Sequence, residues 1–289
     1  MPRLRAPSRA PLTVLLAVLL AAALVLGLPG PAARADTTPC RGTTTAPPVV
    51  LVHDLLGTPA SVSGLAAVLA ADGRCVVAEA WGPAPALAPV LPLLSNLLPA
   101  VVSNLPGGLA SMEQAAPALS RRVAATAATA PAREVDVVAV GAGSLLALRS
   151  VQLTPGLPVR RLVSVGSLWD GTNLAGLGDL EQLSRDAGTY DLVLGVEKLL
   201  MDGACASCRE LIKGSDFLRG LQAAGLRPAG LQQVDVVSRT DGLVVPWTSG
   251  VRDGVSTLVV QEHDPAARSS HFALPRDPVV QGLVRAALR

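Results

Sequence analysis

Asp241 and His271 follow two apolar, β-branched runs, Val234–Val237 and Val255–Val260. An acid and a histidine on successive strand-end loops, in that chain order, are the groups that activate a nucleophile on an α/β scaffold. The nucleophile belongs upstream, on a tight strand-to-helix turn of the form G-x-S-x-G, where small residues let a serine hydroxyl stand clear. The run from Val135 to Leu148 has that form, and its turn reads Ala139-Val140-Gly141-Ala142-Gly143. The small residues are present, but Gly141 has no side-chain atom with which to attack a carbonyl, so no acyl-enzyme can form there. A competing reading moves the nucleophile to Ser144, which lies three residues into the following helix, about 4.5 Å along its axis. Taken singly, Asp241-Gly242 reads as an ordinary turn and His271 as a loop histidine. His263 competes with His271 for the histidine role. Order and loop placement together favour the Asp241–His271 pair.

The elements needed to hold these residues follow from the apolar pattern. Val49–Val52 reads as a buried strand ending at His53, and a helix opens at Thr58-Pro59 and stops at Gly73. Strands are expected at 75–78, 135–140, 162–165, 234–237 and 255–260, with helices between most of them, which gives a mainly parallel sheet covered on both faces. Ser111-Met112-Glu113-Gln114 matches a capping box, although Pro117 then predicts a kink or a later helix start. Asp277-Pro278 opens a final helix. Between Pro83 and Gly108 there is no charged residue. That segment reads either as a buried connection or as an apolar flap beside a cleft, and its prolines argue against a regular core helix.

Residues 1–35 read as an export signal: Arg3, Arg5 and Arg9, an apolar stretch from Leu12 to Leu28, then Ala33-Arg34-Ala35 before Asp36. The expected organisation is a signal peptide over 1–35 and one domain over 36–289, secreted and without a transmembrane anchor after cleavage. Removing the signal takes the formal charge from +2 to −2, which excludes the basic footprint of a nucleic-acid binder. The four cysteines of an exported chain read as disulfides, and the pairing expected is Cys40–Cys75 and Cys205–Cys208. Cys205-Ala206-Ser207-Cys208 has no second C-x-x-C to complete a zinc site, so neither metal nor cofactor is expected.

These segments together carry a family resemblance. Pro48-Val49-Val50-Leu51-Val52-His53, Leu69-Ala70-Ala71-Asp72-Gly73-Arg74-Cys75-Val76, Cys205-Ala206-Ser207-Cys208, Gly214-Ser215-Asp216-Phe217-Leu218, Arg239-Thr240-Asp241 and His271-Phe272-Ala273-Leu274-Pro275 stand in one order. The chain resembles the secreted bacterial class 2 lipases, which implies an α/β-hydrolase fold and an acyl-ester or lipid ligand. By that resemblance Asp241 and His271 occupy the acid and histidine positions and Gly141 the serine position. The family's His-Gly after the first strand is His53-Asp54 here. Backbone N–H groups of Leu55 and Ala142 would form the oxyanion hole, and a carboxylate at Asp54 about 5 Å away would repel an oxyanion by about 3 kcal/mol at an effective dielectric of about 20. Three functions are open at this point: an inactive lipid-binding lipase relative, an esterase using Ser144, or a secreted structural or partner-binding protein.

Overall fold

The computed structural model describes Cys40 and residues 46–98, 102, 104–173, 184–186 and 188–289. The export signal expected over 1–35 lies outside the described residues, as do 99–101 and 103 of the charge-free segment. Six strands, β1 (Val49–Val52), β2 (Val76–Glu79), β3 (Val135–Val140), β4 (Val159–Val165), β5 (Gln232–Val237) and β6 (Ser256–Val259), form one sheet in the order β2-β1-β3-β4-β5-β6. Every pairing is parallel. The sequence expectation of a mainly parallel sheet therefore holds, with strand ends displaced by up to three residues.

Side chains alternate across the sheet, as the two-residue period of a strand demands. Val50, Val52, Val137 and Ala139 join one core with Met112, Ala116, Leu119, Leu145, Leu146, Phe217 and Leu218. Val49, Leu51, Val138 and Val140 join the other with Leu65, Leu69, Val280, Leu283 and Val284. The first face is thus covered by the helices Met112–Thr129, Ala142–Leu153 and Asp216–Ala223, and the second by Ser63–Ala71 and Pro278–Ala287. Burial on both faces explains why β1 and β3 are apolar almost without interruption. The exception, Asp136, lies at the base of β3 and is fully buried against Arg74 at 2.9 Å and Arg160 at 2.6 Å.

One alternative for Pro117 fails, and the charge-free segment forms no core helix. Pro117 does not delay the helix Met112–Thr129, which starts at Ser111 with Ser111 Oγ accepting the Gln114 N–H at 3.2 Å. The Glu210 carboxylate accepts both the Met112 N–H and the Ser111 hydroxyl, so the first turn is held from outside. In the charge-free segment, a 3-10 turn (Pro85–Leu87) and a short α-helix (Leu91–Leu97) do form, each with its proline in the first turn, where no N–H is required. The segment is not buried: Val90, Leu93 and Leu98 are exposed.

A helix spanning Tyr190–Glu210 has no counterpart in the sequence reading. It carries Cys205–Cys208, whose α-carbons are 5.3 Å apart, and non-helical backbone at Cys205 marks the kink. Cys40 and Cys75 are likewise paired, with α-carbons 5.7 Å apart, so the two expected disulfide pairs are the pairs found. Among the described residues no helix is long and apolar enough to cross a membrane.

Candidate active site

The chain runs from β1 outward to β2 and then returns to place β3 on the opposite side of β1. In an open parallel sheet the crevice beyond the strand tips at such a reversal is where ligands bind. Parallel register pairs Val52 with Ala139. Two residues further along each chain stand Asp54 and Gly141, so these two positions face one another at the tip of the sheet.

Gly141 adopts φ 50° and ψ −122°, the sharp conformation of an elbow that L-residues rarely take. A Cβ built there would lie 2.0 Å from Asp54 Oδ1, 2.2 Å from Cγ and 2.5 Å from Oδ2. The Asp54 carboxylate therefore fills the room that a nucleophile's side chain would use. Its Oδ1 accepts the Leu55 N–H at 2.6 Å and the Ala142 N–H at 2.7 Å. Those are the two donors expected of an oxyanion hole, and they converge on one point, which Asp54 occupies. The sequence expectation placed this carboxylate some ångströms away as a repelling charge; here it lies between those two N–H groups.

His271 Nε2 stands 2.9 Å from Asp54 Oδ2, within ion-pair range but not aligned as a hydrogen bond. On its other side, His271 Nδ1 lies 2.8 Å from Asp241 Oδ2 and 2.9 Å from Oδ1. Asp241 is fixed in turn by the N–H groups of Leu243 (2.9 Å) and Val244 (3.0 Å), both donating to Oδ1. Burial by itself would lower the His271 pKa, but the bond to Asp241, the close contact with Asp54 and the charge of both carboxylates outweigh it and raise the pKa to about 9. Burial pushes Asp241 upward, and the bond to His271 with the two backbone donors reverses this, leaving it below the ordinary carboxylate value. At neutral pH the constellation is a buried imidazolium between two carboxylates.

Neighbouring residues hold this arrangement. His53 donates from Nδ1 to the Asp54 carbonyl at 2.8 Å and is stacked on Trp81, whose Nε1–H reaches the His53 carbonyl at 2.8 Å. Burial is the largest influence on His53 and keeps its pKa below the usual value. Gln261 Nε2 donates to Ser238 Oγ at 3.0 Å and Gln261 Oε1 accepts the Arg239 N–H at 2.8 Å, which braces the loop that carries Asp241. Sequence reasoning gave Gln261 no such role and did not place Asp54 in the hole. Counting two residues past the paired tips of β1 and β3 was the signal that could have found the latter.

The remaining sequence candidates separate. Ser144 is fully buried and its hydroxyl donates to the Ala139 carbonyl at 3.0 Å, back along its own chain. His263 ends a short helical turn and is exposed. Among the described residues no group of three or more His, Cys, Asp or Glu side chains is arranged to hold a metal.

Comparison with known proteins agrees with the architecture. No protein-family model matches the sequence, and no curated protein matches it. Solved structures do match. Aspergillus fumigatus lipase B superposes with a TM-score of 0.59 at 15% identity, over 86% of this chain and 53% of that one. The mature form of a Bacillus licheniformis lipase gives 0.56 at 12% identity, over 91% and 94%. The chain thus spans about half the length of the fungal lipase it matches. Its fold is that of the α/β-hydrolases, and these two fold neighbours are lipases.

Proposed function

We propose that this is a secreted, lipase-like α/β-hydrolase protein that binds an acyl ester or lipid and does not carry out serine-type ester hydrolysis. The observation that carries this reading is the Asp54 carboxylate, which fills both the side-chain space at Gly141 and the oxyanion hole. With no hydroxyl at position 141, the first covalent step lacks its nucleophile. With Oδ1 between the N–H groups of Leu55 and Ala142, a tetrahedral oxyanion lacks its donors. His271, charged at neutral pH, is not the free base that such a reaction uses. That the neighbouring folds are lipases and that Val90, Leu93 and Leu98 are exposed supports an acyl ligand. Two disulfides support an oxidising, extracellular setting.

The test is hydrolysis of p-nitrophenyl butyrate and palmitate, with a fluorescent fatty acid to read binding. Binding without release of p-nitrophenol above background is expected. Hydrolysis that survives in the unmodified protein, with an organophosphonate attached at Ser144, would overturn the reading.

A further inference from the structure

The helix Tyr190–Glu210 is helical on both sides of Cys205, where φ is −153° and ψ is 81°. The cross-link at that point explains the break. Side chains three residues apart on a helix have Cβ atoms about 5–6 Å apart, whereas a disulfide brings them to about 4 Å. The Cys205–Cys208 bond can therefore close only where the backbone leaves the helix. The residues flanking Cys205 are Ala204 and Ala206, strong helix formers, so without the bond the sequence favours an unbroken helix.

Beyond the break, two side chains grip one strip of backbone. Ser207 donates its hydroxyl to the Gly108 carbonyl and its N–H to the Leu109 carbonyl at 3.3 Å. The Glu210 carboxylate accepts the Ser111 hydroxyl and the Met112 N–H. That strip lies on the loop after β1. The Gly107 N–H donates to the Gly57 carbonyl at 2.8 Å, and a Cβ at Gly108 would stand 2.8 Å from both the Asp54 carbonyl oxygen and Leu55 Cα. Contacts thus run without a gap from the disulfide to the residue whose side chain holds the Leu55 and Ala142 N–H groups. We propose that Cys205–Cys208 is a reducible switch: its reduction by a dithiol lets the helix run through Cys205, releases residues 108–112 and frees Asp54 from those two N–H groups. The inference uses the placement of Asp54 but neither lipid binding nor the absence of ester hydrolysis.

Cys205 and Cys208 are both half-buried, within reach of a thiolate in solution, whereas Cys40 of the other bond is buried. One thiolate of the dithiol attacks Cys208 Sγ, the bond between the two cysteines breaks, and its electron pair goes to Cys205 Sγ. The Cys208 N–H, 3.2 Å from that sulfur, stabilises the departing thiolate. The second thiolate of the dithiol then attacks the reagent's own sulfur in the mixed disulfide, which releases Cys208 Sγ with its electron pair. The two protons lost by the dithiol end on the two cysteines. The sum is protein disulfide and dithiol to protein dithiol and reagent disulfide.

The experiment is a titration of the full chain with dithiothreitol under native conditions, with alkylation and peptide mass to locate free thiols and NMR to follow amide exchange. Alkylation of Cys205 and Cys208 is expected while Cys40–Cys75 stays closed. In that form the Leu55 and Ala142 amides should exchange about tenfold faster, the equivalent of about one lost hydrogen bond, and reoxidation should restore their protection. Ser207→Ala, with the disulfide intact, should give part of this acceleration without reductant. A chain with Cys205→Ala and Cys208→Ala should exchange fast and ignore dithiothreitol. Reduction of this bond without faster exchange at Leu55 and Ala142, or its survival until the chain unfolds, overturns the proposal. Ester hydrolysis and fatty-acid binding are separate readouts, so the function proposed above stands or falls independently of this result.

Discussion

Asp54 and Gly141 exclude one another: the carboxylate of the first stands 2.0 Å from the point where a side chain at the second would begin. The absence of a side chain at position 141 and the seating of the Asp54 carboxylate between the Leu55 and Ala142 N–H groups are therefore one structural fact. A side chain at position 141 and an inward carboxylate at position 54 cannot coexist without movement of one of them.

Coupling between these positions is the first expectation. Gly141→Ser alone should destabilise the protein by about 2 kcal/mol or more, from the left-handed backbone and the collision with Asp54. Asp54→Gly alone should also destabilise, since it leaves two buried N–H groups and an imidazolium without their partner. The double substitution should cost less than the sum of the two, with an interaction of about 1–3 kcal/mol in a double-mutant cycle. Urea unfolding of the four proteins measures it, and strict additivity would contradict the geometry. The double variant should also gain hydrolysis of short-chain esters that neither single variant has.

Stability should depend on alkaline pH. The His271 pKa is raised in the folded state, from 6.5 to about 9. Its contribution is thus fully present below pH 6.5 and is lost as the pH rises through about 9. By linkage this amounts to on the order of 3 kcal/mol. Thermal unfolding at a series of pH values between these limits should show a falling midpoint, which a Gln at position 271 should flatten.

Much of the geometry at the strand tips was legible in the sequence, for a physical reason. The strands and the order elbow, acid, histidine depend on local apolar runs, and Asp241 with His271 sits on the loops those runs predict. Leu55 and Ala142 could be named as donors because a backbone N–H depends on its place in the turn and not on side-chain type. The position of the Asp54 carboxylate was not legible. It depends on the register of β1 against β3, strands separated by more than eighty residues of chain. The helix Tyr190–Glu210 was missed as well, and non-helical backbone at Cys205 breaks it near the C-x-x-C that drew attention to disulfides instead.

Reduction should act unequally on the two disulfides. Cys40–Cys75 ties residues 35 positions apart and should contribute about 3–4 kcal/mol in the chain-entropy model. Cys205–Cys208 closes a loop with a sequence separation of 3 and should contribute less. Its turn nevertheless holds Ser207, whose hydroxyl donates to the Gly108 carbonyl, and Gly108 lies against Leu55 in the loop after β1. Replacing Cys205 and Cys208 by Ser should therefore increase hydrogen exchange over residues 54–57 more than it lowers the unfolding midpoint. Unchanged exchange there would count against this link.

The placement of Asp54 against His271 is tested most directly by the imidazole titration of His271, followed by NMR in the unmodified protein and in Asp54→Asn. The Asn amide keeps an oxygen for the Leu55 and Ala142 N–H groups but removes the charge beside Nε2. A pKa of about 9 is expected for His271 in the unmodified chain, with a clear fall in the variant, as only Asp241 then opposes the effect of burial. A His271 that titrates near 6.5 in the unmodified protein, or whose pKa does not move in the variant, would contradict the account.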